Sequence, residues 1–277
     1  MLFKDFLPTP PLDNLVQIYR LRHFVIPNNI VIPAKPYPPR PENCIAFYLR
    51  GFEVTRHLHD EKSFLKPRSV ITGQYTHRID RISSPVEFLM IQVVFKPGAL
   101  FRLTGIPFNE MQNTHVDLES VFPKEGRMVN DRLGSCNNYR EMIMIVEKFL
   151  VEIHLKIKVP SRTYDEVFNL LLASQTKYSL KWLASQSCLS TRQFERKSNQ
   201  YLGICPQLFA RIVRFNQSYE LRLKKPGLDW LSIAVACDYH DYQHLVRDFK
   251  EFTQVTPNML FAAESKVLER ALGLNKK

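Results

Sequence analysis

The chain has 277 residues, 45% of them hydrophobic, enough for one large or two ordinary domains with real cores, and neither a disordered nor a fibrous class fits. Five scattered cysteines (Cys44, Cys136, Cys188, Cys205 and Cys237), with no Cys-x-x-Cys pair, signal neither a disulfide framework nor a zinc ribbon, so reduced thiols in a cytoplasmic protein are expected. The formal charge of +11 calls for a polyanionic partner if it is concentrated: from Gln175 onward 16 Lys+Arg face 9 Asp+Glu, a net +7, against 22 and 18, a net +4, in the longer part before it.

Residues 1 to about 135 read as β. The runs Leu15–Phe24, Cys44–Leu49, Ser69–Gln74 and Phe88–Phe95 are β-branched or aromatic and are separated by proline-rich punctuation such as IPAKPYPPRPEN. Short strands at this spacing suggest a sandwich or barrel. The near-continuous apolar run FLMIQVVF predicts a strand buried on both faces, ended by Pro97-Gly98. The opening MLFKDFLPTPP is no signal-peptide core, and no run of about 18 apolar residues exists, so no membrane partner is expected.

At Asn137–Ile157 the period changes. Met142, Val146, Phe149 and Ile153, widened by Ile143 and Leu150, form the stripe of an amphipathic helix, which could pack on the β-rich part or against a second copy of itself. Pro160 then marks a domain boundary, giving a β-rich regulatory or dimerisation domain at 1–159 and an all-α domain at 160–277, an α+β multidomain chain.

Beyond Pro160 every periodic segment is helical. Thr163–Ser174 repeats apolar residues at Val167, Leu170 and Leu171, and Ser179–Ser187 turns Leu180, Leu183 and Ala184 inward. Ser190 is a good N-cap for TRQFERKSNQYLG, with Phe194 and Tyr201 inward and Gly203 as a left-handed cap. Pro206 opens a longer helix to about Leu223, with Phe209, Ile212, Val213, Phe215 and Leu221 on its apolar face, stopped by Lys224-Lys225-Pro226-Gly227. The design then repeats: Asp229 caps a helix with Leu231, Ile233, Ala234 and Val235, Cys237-Asp238-Tyr239 turns, and His240 or Asp241 opens DYQHLVRDFKEF, with Leu245 and Phe249 inward.

Two helix-turn-helix units in tandem point to DNA. An α-helix fits the major groove, where base edges offer a distinct donor and acceptor pattern for each pair. Arg192, Glu195, Arg196 and Asn199 share one face opposite Phe194 and Tyr201. Arg can fork onto guanine, Glu can accept from the cytosine amino group, and Lys197 suits phosphate. In the second unit Gln243 suits adenine, Arg247 suits guanine and Tyr242 can stack on sugar or touch a thymine methyl. Thr191, Asp241, His244 and Lys250 complete the candidate DNA-binding set.

The stretches SLKWLASQSCLSTRQFERKSNQYLGICPQLFARIVRFNQ and DWLSIAVACDYHDYQHLVRDFKEFTQVTPNMLF resemble the two helix-turn-helix patterns of the AraC/XylS transcriptional regulators, a match covering about Tyr164 to Ala263. The resemblance implies two recognition helices in adjacent major grooves, with base contacts at Arg192, Glu195 and Arg196 and at Tyr242, Gln243 and Arg247. Cys188 and Asp238 stand where the family commonly has glycine, and Ser198 where an aromatic is common, so the first unit is expected to be the looser. The N-terminal part, through FKPGALFRLTGIPFNEMQN and the following helix, resembles the barrel, cupin-like domains that precede the DNA-binding module in this family and bind effectors, dimerise or do both. The expected partners are thus operator DNA and the transcription machinery, with a small-molecule effector, a second copy forming a homodimer, or both, at the N-terminal part.

Other sites are weaker. Gly51-x5-His57-x-His59 opens like a cupin metal motif, but Ser63 and Phe64 stand where the carboxylate is expected, and no cofactor is indicated. No Gly-x-Ser-x-Gly or Gly-Lys-[Ser/Thr] loop argues for an enzyme. His23, His77, His115 and His154 are isolated in sequence, and Cys44 or Cys136 would sense redox state only in a setting that lowers its pKa. The alternative class is a cupin-like small-molecule or metal-binding protein whose helical half is a protein-interaction module.

Overall fold

The computed structural model describes residues 2–26, 33–58, 61–84, 86–156, 163–173 and 178–264. The N-terminal half carries ten strands: β1 Leu2–Phe6, β2 Val16–Val25, β3 Lys35–Tyr37, β4 Cys44–Arg50, β5 Glu53–His57, β6 Ser63–Leu65, β7 Ser69–Thr72, β8 Ile79–Ser83, β9 Glu87–Phe95 and β10 His115–Asp117. They form two antiparallel sheets, one ordered β1-β2-β9-β4-β7-β10 and one ordered β3-β8-β5-β6. The expected β-rich domain is there; among the described residues its ladders stay open as two sheets and do not close into one barrel.

The expected strand FLMIQVVF is β9, central in the larger sheet and paired on both sides. Its alternation sends Leu89, Ile91, Val93 and Phe95 to one face, where they join Ile45, Phe47, Tyr19 and Leu21, and Phe88 and Met90 to the other with Ala46 and Tyr48. Both faces are buried, which is why the run is apolar but for Gln92, whose amide meets Arg20 and Cys44.

The first face is roofed by helices α1 Ala99–Thr104, α2 Leu118–Val121, α3 Pro123–Ser135 and α4 Tyr139–His154. Asn138 caps α4 by accepting from the Arg140 and Glu141 N–H groups. Its whole predicted stripe, Met142, Ile143, Val146, Phe149, Leu150 and Ile153, is buried, and Phe149 meets the Phe47 ring edge-on at 6.1 Å. The stripe therefore packs within the chain, leaving Met144 on the exposed side.

The second face holds polar groups. Arg20 pairs with Glu42 at 2.8 Å, the Tyr37 hydroxyl donates to Glu42, and Glu53 receives Tyr48, Lys66 and Arg81. Burial pushes the Glu53 carboxyl up, but Arg81 and Lys66 outweigh it and hold the pKa below the usual range. Charges removed from water are tolerable only when paired in this way.

The C-terminal half is α5 Thr163–Ala173, α6 Leu180–Gln186, α7 Thr191–Leu202, α8 Pro206–Lys224, α9 Trp230–Ala236, α10 Tyr242–Thr253 and α11 Pro257–Glu264. On α5, Val167 and Leu171 are buried as expected, whereas Leu170 is exposed. The boundary expected at 159/160 lies outside the described residues. The two halves share one apolar cluster, which takes in the first sheet face and α4 on one side and α7, α8 and α10 on the other, with Phe101 of α1 against Tyr201 of α7. Arg102 on α1 faces Asp165 on α5 at 3.6 Å, Arg40 faces Glu220 on α8 at 3.6 Å, and the Arg78 N–H donates to the Phe252 carbonyl at 2.7 Å.

Candidate nucleic-acid interface

Each helix-turn-helix unit is built by the same local devices. Ser179 caps α6 by accepting from the Trp182 N–H, and Asp229 caps α9 by accepting from the Ser232 N–H. The turns pass through a left-handed residue in each unit, Cys188 at φ 53° and Asp238 at φ 57°. Ser190 and Gln193 then form a reciprocal capping box on α7, and the Asp241 carboxylate caps α10 by accepting from the His244 N–H at 2.6 Å. These caps satisfy N–H groups that no helical carbonyl can reach. They fix where each second helix starts and hence which side chains face outward.

Phe194 and Tyr201 on α7 and Leu245 and Phe249 on α10 are buried, as their spacing predicts. Ser198 is buried too, and its hydroxyl donates to the Ile204 carbonyl at 2.7 Å. That bond ties α7 to the loop before α8, so the first unit has a polar clasp where the family commonly has a ring. Gly203 ends α7 at φ 90°, and a Cβ there would stand 2.8 Å from the Phe108 carbonyl oxygen of the β-rich half, so only glycine suits both the turn and the approach.

On α7, Thr191, Arg192 and Arg196 are exposed. The remaining predicted residues of this helix are half-buried and engaged. Glu195 accepts from Gln207 Nε2 at 3.2 Å, the Asn199 amide donates back to the Glu195 carbonyl at 3.0 Å, and Lys197 Nζ sits over the rings of Tyr164 and Tyr201 at 5.8 and 5.5 Å. On α10, Gln243, Arg247 and Lys250 are exposed and Tyr242 is half-buried. His244 is held by Arg214, whose guanidinium lies 3.0 Å from its Nε2. Burial first, then Arg214, lowers the His244 pKa, so the ring is neutral and Nε2 accepts.

Sequence reasoning passed over the residues that hold the second unit. Arg211 bridges Asp248 and Glu251 at 2.8 and 2.6 Å, and Arg214 reaches Asp248 at 3.3 Å and lies over the Tyr239 ring. Both come from α8, some thirty to forty positions away from their partners. Their i, i+3 spacing puts them on one side of α8, a signal that sequence offers without naming the partner. Gln207 plays the corresponding part for Glu195.

Among the described residues, no three His, Cys, Asp or Glu side chains are placed to share a metal ion, and no helix is long and apolar enough to cross a membrane. His57 closes β5, whereas His59 lies outside the described residues.

Residues 183–263 match the family model described as a helix-turn-helix domain, so the C-terminal half carries an AraC-type pair of such units. No curated protein matches the chain significantly. Similar solved structures include ToxT from Vibrio cholerae, 10% identical over 90% of this chain and 98% of that one with a TM-score of 0.49. Also similar is ToxT from Vibrio cholerae strain SCE256 bound to an unsaturated fatty acid, 10% identical over 88% and 94% with a TM-score of 0.46. A third is the DNA-binding domain of the transcriptional factor AdpA in complex with a target DNA, 20% identical over 42% of this chain and all of that one with a TM-score of 0.35.

Proposed function

We propose that this chain is a DNA-binding transcription regulator that reads a specific operator with α7 and α10 set in successive major grooves. The observation that carries the reading is the pair of separately capped helices joined by α8. Its 19 residues span roughly 28 Å at about 1.5 Å per residue. Successive major grooves on one face of DNA lie about 34 Å apart, so one chain can present both heads to one operator.

In this reading Thr191, Arg192 and Arg196 reach bases or adjacent phosphates from α7, and Gln243, Arg247 and Lys250 do so from α10. Glu195, Lys197, Asn199, Tyr242 and His244 flank them, set in angle by Gln207, the Tyr164 and Tyr201 rings and Arg214. Asp241 acts by fixing the start of α10. The division at 159/160 separates a regulatory half, open to an effector or a second copy, from this reading half, and the protein works in the cytoplasm with the transcription machinery.

Selection of bound duplexes from a random pool tests the reading. It predicts a motif with two clusters of informative bases about one helical turn apart. A pool that stays random after selection contradicts it. A single asymmetric site identifies a monomer, and a direct or inverted repeat identifies a dimer.

A further inference from the structure

The two reading helices differ at their third residue. On α7 that residue, Gln193, is taken up by the capping box, its side chain accepting from the Ser190 N–H at 2.9 Å. On α10 it is His244, and the helix is capped without its side chain, because the Asp241 carboxylate alone accepts from the His244 N–H. The imidazole meets α8 instead, where Arg214 Nη2 lies 3.0 Å from Nε2, and it stands edge-on to the Tyr239 ring at 5.3 Å.

Arg214 is a fixed donor. Its side chain is 12% exposed, it pairs with the buried Asp248 at 3.3 Å, and it lies over the Tyr239 ring at 4.5 Å. A guanidinium has N–H donors and no acceptor, so Nε2 of His244 must be unprotonated and accept. The hydrogen of the neutral ring then sits on Nδ1, since the bond made by one imidazole nitrogen sets the state of the other. The charged groups around the ring are Arg214 from α8 and Asp241, Arg247 and Asp248 from α10 and its cap. Burial first, then Arg214 and Arg247, hold its pKa below the ordinary value against Asp248 and Asp241. Nδ1 has no hydrogen-bond partner among the described residues.

We infer that His244 is a specificity-determining residue of the second head, whose Nδ1–H donates to guanine O6 or N7 or to thymine O4, and that Arg214 is the positioning residue that fixes this tautomer. The inference rests on the DNA-reading function. Residues at the N-terminal end of the second helix of such a unit reach the base edges. His244 stands next to Gln243 and one turn before Arg247, both exposed. Cytosine presents only its amino donor in the major groove, so an Nδ1–H against it sets donor against donor. Adenine is intermediate, with N7 accepting beside an amino group. A histidine free to exchange tautomers accepts from cytosine as readily as it donates to guanine. Arg214 turns an ambivalent side chain into a donor, and the base this position rejects is cytosine.

The first part of the test needs no DNA. Long-range proton–nitrogen correlation spectra of the full chain at about pH 7.5 separate the two neutral tautomers and the charged ring. The His244 signals are those lost in His244→Ala. The expected ring is neutral with its hydrogen on Nδ1, and Arg214→Met should move it toward the Nε2–H form that a free histidine favours. A charged or Nε2–H ring in the parent overturns the inference, and a tautomer unchanged in folded Arg214→Met overturns the part of Arg214. Asp248 keeps Arg211 in that variant; if it nevertheless does not fold, the parent spectrum and His244→Ala decide.

The second part is the affinity of the parent and both variants for a selected duplex and its single-base variants at fixed salt. At one position under α10, cytosine should weaken binding to the parent by about fivefold or more, the worth of roughly one hydrogen bond. That discrimination should shrink in His244→Ala and in Arg214→Met while the positions read by α7 and by Arg247 keep theirs. A base profile unchanged in His244→Ala, or weakened equally at every position, overturns the inference and leaves the DNA-reading function standing. A chain that binds no duplex selectively ends both, whatever tautomer the ring holds.

Discussion

The Tyr201 ring on α7 lies with its centroid 4.1 Å from that of Phe101 on α1. This contact joins the inward side of the first reading helix to the β-rich half, close to the glycine turn that seats Gly203 on Phe108. The end of α7 bearing Tyr201 is thus clamped, while the end bearing Thr191, Arg192 and Arg196 projects. The expectation that the first unit is loose meets a capping box, a Ser198 clasp and an interdomain ring contact.

Phe101→Ala should therefore cost about 3–5 kcal/mol, as removal of a large buried ring from a shared core does. It should also speed amide exchange along α7 more than along α10. Denaturant melts and residue-resolved hydrogen exchange check both, and equal acceleration in the two helices would count against the clamp.

The caps make a second expectation. Ser190→Ala should destabilise by about 1 kcal/mol, Asp241→Ala should destabilise too, and Asp241→Ser should recover most of that loss, because a hydroxyl can accept from the same N–H. Thermal melts at fixed pH decide it. An Asp241→Ala variant as stable as the parent would show that the His244 N–H does not depend on this carboxylate.

The left-handed turn residues differ in how well they suit their backbone. Cys188 at φ 53° has a side chain that gains nothing there, whereas Asp at this conformation is better tolerated. Cys188→Gly should stabilise by about 0.5–1 kcal/mol, and Asp238→Gly by distinctly less. Equal gains in denaturant midpoint would contradict the distinction.

The helical half was nearly all legible in sequence, because its caps, periodicities and stops are local: Ser190, Gly203, Pro206, Asp229 and Asp241 each act where they stand. The long strands were legible for the same reason. The three-residue strands β3, β6 and β10 were not: Lys35–Tyr37, for one, sits in a proline-rich run and gains strand geometry only by pairing with β8. The cluster of His57, His77 and His115 was illegible in principle, since residues isolated in sequence were assembled by β-sheet register. The same holds for Arg214 at His244, where one helix reaches across to another.

The burial of His115 makes stability depend on pH. Its folded pKa is about 4 against an ordinary 6.5, so the unfolded chain binds the extra proton between those values. Stability from this group is complete above about pH 6.5 and falls as pH drops toward 4, levelling below it. After discounting for solvent screening at a part-exposed ring, the loss is about 1–2 kcal/mol. His115→Gln should flatten that portion of the stability profile, and a profile unchanged by the substitution would show that His115 does not set it.

The most direct measurement is the affinity of the chain and of its Arg196→Ala and Arg247→Ala variants for a selected duplex and for single-base variants of it, at fixed salt. The account predicts that each substitution costs about 1–3 kcal/mol and relaxes discrimination at one position only, the two positions lying about one helical turn apart. Equal affinity for every sequence, unaltered by either substitution, would contradict it.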